Sequence, residues 1–555
     1  MKKVKYGASD PKIKGDFALS YTSESQFYNN DNILKDAPID APKNPIELYS
    51  VILDGTSNEL ISNQWGDGMV LGFWSEQVSN EDCSFSDSVV IELKSNKTVK
   101  TKGVTLEFDV SGGVFPTDVL ISYYLGGKIV NSIRYYPDST LYYFKNEEIE
   151  YDEVLLRFYS LNVPYNRLKI QSVEFGEMVV FLPSEILSTT ISHESDISGL
   201  TLPISTTSVV LKTNRADKLN FKEQQKIVVE NDGNIESTTY ITAAKRISKN
   251  QFNIEAEDVI SLLENTEYLG GAYNFSSNFQ RISARDMMID ILNIANVAYE
   301  IEDGLGSGVY LQGCLPITNC RVALQQVAFG CNAVILTSYT SGVKIVSYDT
   351  IAQNQPQKTG LGKLKSQNIN ENKAITSVIL AFKKYYWNNM INLDKKKVVF
   401  ETDDETLIGT SMLIKTSSPC AYYEINGATS REEHPNYIKF IVNSVPCVIN
   451  AVEYTFDNFE TTVQIYDSAK PNPKKITGAL LIDYNNIDKL LNKCYNYYSR
   501  NRNGKMNIID IDKIKIGDVL DVKSTYDKDI QGIVVSQKYS LIGNTFVKET
   551  EIIGG

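Results

Sequence analysis

Histidine is nearly missing from this chain: His193 and His434 are the two in 555 residues. Two imidazoles leave little room for a multi-histidine metal site or a histidine-based nucleophilic triad. Cysteine is sparse as well. Cys83, Cys314, Cys320, Cys331, Cys420, Cys447 and Cys494 are scattered and odd in number. None of the trio Cys314, Cys320 and Cys331 has the paired spacing of a zinc site, so these read as small buried apolar residues and no metal is expected. No apolar run reaches the length of a membrane span. No secretory leader is visible either, because MKKVKYGASD runs directly into polar sequence. The expectation is a chain made in the cytoplasm with reduced thiols. Basic charge is also short: 55 Lys and Arg against 68 Asp and Glu give a net charge of −13. Sequence-neutral nucleic-acid binding needs cationic surface to neutralise phosphates, so none is expected. An acidic surface would instead let a polyanion pass without sticking.

What is present is a long chain rich in tyrosine, 33 residues, with a globular apolar content of 42%. Its length exceeds one hydrophobic core and implies several domains. Residues 1–55 are polar, with prolines at 38, 42 and 45, and read as an N-terminal arm carrying short strands. Residues 56–178 hold roughly seven alternating or apolar runs separated by Gly, Pro, Asn and Asp, the pattern of a β-sandwich. Gly126-Gly127 within one such run is a hairpin turn signal. Aromatic residues crowd this region. A pyranose offers a flat C–H face to a ring and hydroxyls to polar neighbours, so Trp74, Tyr123, Tyr124, Tyr136 and Tyr143 are candidate glycan contacts. Core and cross-strand packing is the other reading of the same rings. Tandem tyrosines on a strand point to opposite faces, which leaves one of each pair outside.

Residues 179–270 read as a second antiparallel β domain, with His193 a hydrogen-bonded or surface residue in a polar break. Residues 271–360 form an α/β piece. Ser283 and Asp286 cap a helix ahead of Met287, Met288, Ile291 and Leu292. The run Asp303-Gly304-Leu305-Gly306-Ser307-Gly308 lacks the strand–helix context and lysine of a phosphate loop and reads as a turn. A second helix starts at Arg321, and a hairpin is expected to turn at Ser341-Gly342. Residues 361–480 return to β structure. From Leu481 to Gly555 the period changes from helical to alternating. Ile487, Leu490, Leu491, Cys494 and Tyr498 share one helix face. KIKIGDVLDV, GIVVSQKYSL and TFVKETEII follow as strands, with turns at Gly517-Asp518 and Gly543-Asn544.

This order of elements resembles the tail-hub family of tailed bacteriophages and phage-like bacteriocins, which includes the N-terminal part of tail-associated lysins (baseplate hubs). The matching stretches are RVALQQVAFGCNAVILTS with its hairpin, and KIGDVLDV…GIVVSQKYSL. The front segment, with GFWSEQVSNEDCSFS, GVTLEFD, PTDVLISYY and NVPYNRLKIQSVEFGE, resembles the discoidin-like domain that precedes such hubs in clostridial prophages. The resemblance implies a mainly β fold with small α/β elements. Its parts would be an N-terminal β-sandwich and a hub with two β-barrel domains (179–270 and 361–480), a helical and hairpin insert, and one closing helix with strands that complete the second barrel (481–555). It implies a homotrimer, in which two similar domains per subunit let three chains continue a ring of six. The partners would be the tail tube, the distal tail or baseplate proteins, and the tail spike or tape-measure end. The location would be the virion tail tip. Many tail-associated lysins carry a peptidase or muramidase after the hub, whereas this sequence ends shortly after its last strand, and no enzyme and no cofactor are expected. An alternative is a receptor-binding tail protein whose sandwich binds host cell-wall glycan. A glycosidase would need two carboxylates roughly 5–10 Å apart over a groove.

Overall fold

A computed structural model describes residues 3–7, 17–24, 33, 73–109, 112–216, 219, 221–231, 234–275, 281–337, 342–359, 364–386, 396–468, 470–508, 514–523, 529–542 and 545–555. The fold is mainly β. Trp65 (another of the aromatic residues that crowd 56–178), Ser341 and the Gly543-Asn544 turn lie outside the described residues.

The first strand, β1 (Lys3–Gly7), does not join the sandwich that follows it in sequence. The sandwich is one hydrogen-bonded sheet built from β2 (Phe17–Thr22), β3 (Phe73–Val78), β4 (Ser84–Phe108), β5 (Pro116–Leu125), β6 (Lys128–Tyr135), β7 (Leu141–Leu161) and β8 (Arg167–Glu174). SVVIEL and GVTLEF, separate runs in the sequence, are one strand of 25 residues. Register shifts between Lys94 and Val99 and between Thr101 and Gly103 break the β4–β7 ladder. Such shifts bend a strand and increase its twist. Gly103 is required at the bend: φ is +130°, and a Cβ would stand 2.2 Å from the Phe144 carbonyl oxygen. The enclosed core includes Phe73, Ile91, Leu106, Phe108, Tyr123, Phe144, Tyr151 and Phe158. Gly126 and Gly127, with φ of +56° and +75°, make the β5–β6 turn with both residues left-handed.

Next come β9 (Met178–Phe181), β10 (Ile186–Glu194), β11 (Thr206–Lys212), β12 (Lys226–Asn231), β13 (Asn234–Ser248) and β14 (Gln251–Glu257). Their order is β9-β1-β12-β13-β14-β11-β10, with β1 filling the slot between β9 and β12. The sheet curls around one core. Phe181 from its first strand and Ile191 from its last belong to the same cluster as Val4, Tyr6, Leu211, Ile227 and Ile254. A second curled sheet runs Leu364–Glu371, Arg502–Ile508, Thr545–Gly554, Ile530–Ile542, Val519–Val522 and Gln357–Thr359. It encloses the smaller aliphatic cluster of Met506, Ile516, Leu520, Val522, Ile530, Val534 and Ile552.

The two curled sheets are one continuous sheet. Strand Ile530–Ile542 uses one edge twice: Ile530–Ile533 pair with Val519–Val522, and Ser536–Ile542 pair with β10. This corrects the expectation of two barrels. No sheet among the described residues closes on itself. β9 and β10 are consecutive yet unpaired, and the edge of β10 is occupied by the joining strand.

Among the described residues of 361–480, expected as the second barrel, only Leu364–Glu371 enters the curled sheet. The described strands between 377 and 479 form three separate three-stranded sheets. One pairs Ser377–Tyr385 with Phe456–Gln464 and Pro473–Ala479. The other two, from residues 397–453, share a core of Tyr423, Ile438, Phe440, Val442 and Ile449.

Between the curls, helices Ile260–Glu264, Ala284–Ile294 and Cys320–Gly330 pack around Met288, Ile291, Leu324 and Val327. Ser283 caps its helix as expected, its Oγ accepting from the Asp286 amide at 3.1 Å. Cys320–Gly330 is capped by Asn319, whose side chain accepts from the Val322 amide. The closing helix spans Ile487–Tyr498. Its apolar face, Leu490, Leu491 and Cys494, packs on Val378, Leu380 and Ile476.

Candidate functional site

The five aromatic residues chosen for glycan contact do not converge. Tyr123 is fully buried in the sandwich core, its ring 5.0 Å from that of Tyr151 in an edge-on contact. Trp74 is also buried, and the ammonium of Lys169 lies 4.5 Å from its ring centroid. Neither ring can present a face to a sugar. The remaining three are spread out. Tyr124 opposes Ile129 beside the Gly126-Gly127 turn, whereas Tyr136 follows Tyr135, which opposes Val119. Five residues along β5 separate those two ends by about 17 Å. Tyr143 opposes Thr105 on β4, and its hydroxyl donates to the Lys102 carbonyl at 2.7 Å. Tyr136 alone of the five is well exposed, at 68%. The tandem rule holds in form, since Tyr123 is inside while Tyr124 is half-buried.

The other sequence candidates are structural. Gly304, Gly306 and Gly308 all have positive φ, and the loop closes on itself through Leu305 to Glu302, Ser307 to Gly304 and Val309 to Gly306 amide–carbonyl bonds. Those amides are therefore not offered to a phosphate. All seven cysteines are free, and all except Cys83 are buried. No group of three or more His, Cys, Asp or Glu arranged to hold a metal ion occurs among the described residues. No helix among the described residues is long and apolar enough to cross a membrane.

Among the described residues, three buried places carry polar chemistry that local sequence patterns did not mark. The first is the seam between the two curled sheets. Thr189, Ile191 and His193 alternate onto its inner face, and His193 opposes Gln537 across the seam. The His193 Nε2 donates to the Glu236 carbonyl at 2.9 Å. Thr207 and Ser237 share a hydroxyl bond of 2.7 Å. Gln537 Nε2 and Lys548 Nζ both donate to the Ile514 carbonyl, and Tyr539 donates to Gln537. Burial, helped by Lys548, pushes the imidazole down to about 4 against a weaker pull from the Glu236 carbonyl, so His193 is neutral at pH 7. The expectation of a hydrogen-bonded histidine holds, but it lies inside the sheet.

The second place is Asp258, which directly follows β14. Its carboxylate accepts from the Ser205 amide, the Ile260 amide and the Thr337 hydroxyl, tying three segments together. Burial outweighs these bonds and raises it to about 6. The third is Lys493 on the closing helix. Burial drops its ammonium to about 8, and it donates to the Ala333 carbonyl at 3.0 Å. Gly199 leaves room for it, since a Cβ there would stand 2.9 Å from Nζ.

No protein-family profile matches this sequence, and no curated relative does. Solved structures that this chain matches include a 43 kDa prophage tail protein from Shewanella oneidensis, at 9% identity and a TM-score of 0.38. That match covers 78% of this chain and 98% of the other. A tail protein from Neisseria meningitidis is 8% identical with a TM-score of 0.39, covering 68% of this chain and 93% of that one. A prophage tail protein from Listeria monocytogenes is 8% identical with a TM-score of 0.37, covering 79% and 94% respectively.

Proposed function

We propose that this chain is a structural, non-enzymatic hub protein at the tail tip or baseplate of a phage or phage-like particle. Three copies would join the six-fold tail tube to a three-fold tip. The observation that carries this reading is the presence in one chain of two curled, mainly antiparallel sheets fused through β10 and the joining strand. A ring of six similar edges can be continued by three chains if each supplies two such units. The order of elements seen in the sequence, with its α/β insert and closing helix, supports the same reading. On it, the partners are the tail tube, distal tail or baseplate proteins, and the spike or tape-measure end. The sandwich of residues 73–175 would decorate the outside. Native mass spectrometry of the full chain tests the reading, with a trimer expected. Labelled electron micrographs of assembled tails should place it at the tip. A persistent monomer together with label elsewhere on the particle would refute it.

The receptor-binding alternative rests on Tyr136, whose ring stands in solvent at the end of β6. A glycan array with the full chain and its Tyr136→Ala variant tests it. Binding lost in the variant supports a sugar contact, and no binding by any wall polymer removes the reading.

A further inference from the structure

Alternation along four strands points a set of ionisable side chains away from both apolar cores and into one another. On β1, Val4 and Tyr6 enter the curled-sheet core, so Lys5 points out. On β12, Ile227 and Val229 point in, while Lys226 lies on the opposite face. On β4, Leu106 and Phe108 enter the sandwich core and Glu107 points out. On β8, Val173 points in and Glu174 points out. In an isolated sandwich, Glu107, Ser172 and Glu174 would face water. Here all three are buried, as is Lys5. Lys5 Nζ lies 2.5 Å from Glu107 Oε1 and 2.5 Å from Glu230 Oε1. Lys226 Nζ lies 3.8 Å from Glu174 Oε1, and Ser172 Oγ lies 3.5 Å from Glu107 Oε2. The two apolar clusters on either side share no residue.

We propose that this buried charge layer is a separable joint: the sandwich is held in a fixed orientation on the first curled sheet by ion pairs and can leave it as an intact unit. Two things make the joint separable. Undocking exposes charged groups that water solvates well. A buried ion pair also adds little net stability after its desolvation cost, while contributing strongly to orientation. Among the described elements the chain crosses between the units twice, between β1 and β2 and at residues 175–177. At the second crossing Gly176 takes φ +139°, and its carbonyl accepts from the Thr105 hydroxyl at 2.5 Å. A residue with that freedom in the middle of a three-residue link lets the sandwich swing once its charges are released.

The test uses the full chain with Glu107→Lys, which places a cation against Lys5 and Lys226 from the sandwich side. Small-angle X-ray scattering should show a larger radius of gyration, while far-ultraviolet circular dichroism stays at the wild-type level. Adding Lys5→Glu to that variant should return the radius toward wild type. Should Glu107→Lys not fold, Glu174→Lys facing Lys226 serves in its place. An unchanged radius in a folded variant overturns the proposal. So does loss of the sandwich and the curled sheet together in one cooperative melting step, since that would mean the two units are not separable.

Discussion

The sandwich and the seam between the two curled sheets are both buried antiparallel structure, yet they bury opposite chemistry. The sandwich encloses Phe108, Tyr123, Phe144 and Phe158 with hardly a polar atom among them. The seam encloses His193, Thr207, Ser237, Gln537, Lys548 and Thr550. A core of rings gains its stability from area removed from water and from close packing, and it tolerates changes of pH. A seam of hydrogen-bonded polar groups gains little net energy but fixes one register, since a slip of one residue would leave each donor and acceptor unpaired. The difference fits the roles of the two regions. The sandwich has only to stay folded, while the seam has to hold two sheets in one defined alignment.

The strongest way to break the comparison is to open the sandwich core. Phe158→Ala, which removes a fully buried ring packed edge-on against Phe108, should cost about 3–5 kcal/mol. The loss should appear in chemical denaturation as an early transition of the sandwich, with the curled sheets unaffected.

Acid should do to the seam what it does not do to the sandwich. His193 titrates near 4 when folded and at 6.5 as a free side chain, so the unfolded chain binds the extra proton between those values. Stability contributed by the neutral imidazole is complete above pH 6.5 and is lost as pH falls toward 4, by about 3 kcal/mol in all. Asp258 has the opposite sign, because its raised value makes ionisation unfavourable from about pH 4 to 6. His193→Gln should therefore leave a stability profile that improves on acidification across that range, measured by thermal melts from pH 4 to 7.

Lys493 sharpens the comparison on the alkaline side. Its folded value near 8 lies below the ordinary 10.5, so stability should rise as pH climbs from 8 to 10.5. Lys493→Met should abolish that slope, and its melting temperature at pH 7 should equal or exceed that of the wild type. The Ala333 carbonyl left without its donor offsets part of the gain.

The smallest effect belongs to the surface of the sandwich. Gly126→Ala, at φ +56° with open space around it, should cost about 1 kcal/mol of backbone strain. Tyr136→Ala should change stability by less than about 0.5 kcal/mol.

Local signals in the sequence located the elements whose causes are local. The Ser283 cap, the face of the closing helix, the glycine-pair turn and the alternating strands of residues 73–175 all follow from spacing within a few residues. What stayed hidden depends on partners far away in the chain. β1 reads as part of a polar arm until β9 and β12 offer it a slot. The split of 377–479 away from the curled sheet depends on which edges meet, which periodicity does not encode. β4 reads as two strands because a register shift interrupts its alternation without ending it. Among the candidate ligand residues, spacing distinguished the inner from the outer member of a tyrosine pair. It could not show that Trp74 lies under Lys169, nor that the outer rings sit at opposite ends of the sheet. Lys5 was invisible as a site for the same reason. A lysine between Val4 and Tyr6 looks like a solvated outer face until a second sheet covers it.

The double use of one edge by strand Ile530–Ile542 has a mechanical consequence. β10 runs antiparallel along it from Ser188–Ile542 to Glu194–Ser536. Tension drawn along the strand axis therefore loads those rungs side by side, and they must rupture together. A pull across the strands would meet them singly, like the teeth of a zip. The two halves of the molecule should accordingly resist being slid past each other far better than being peeled apart.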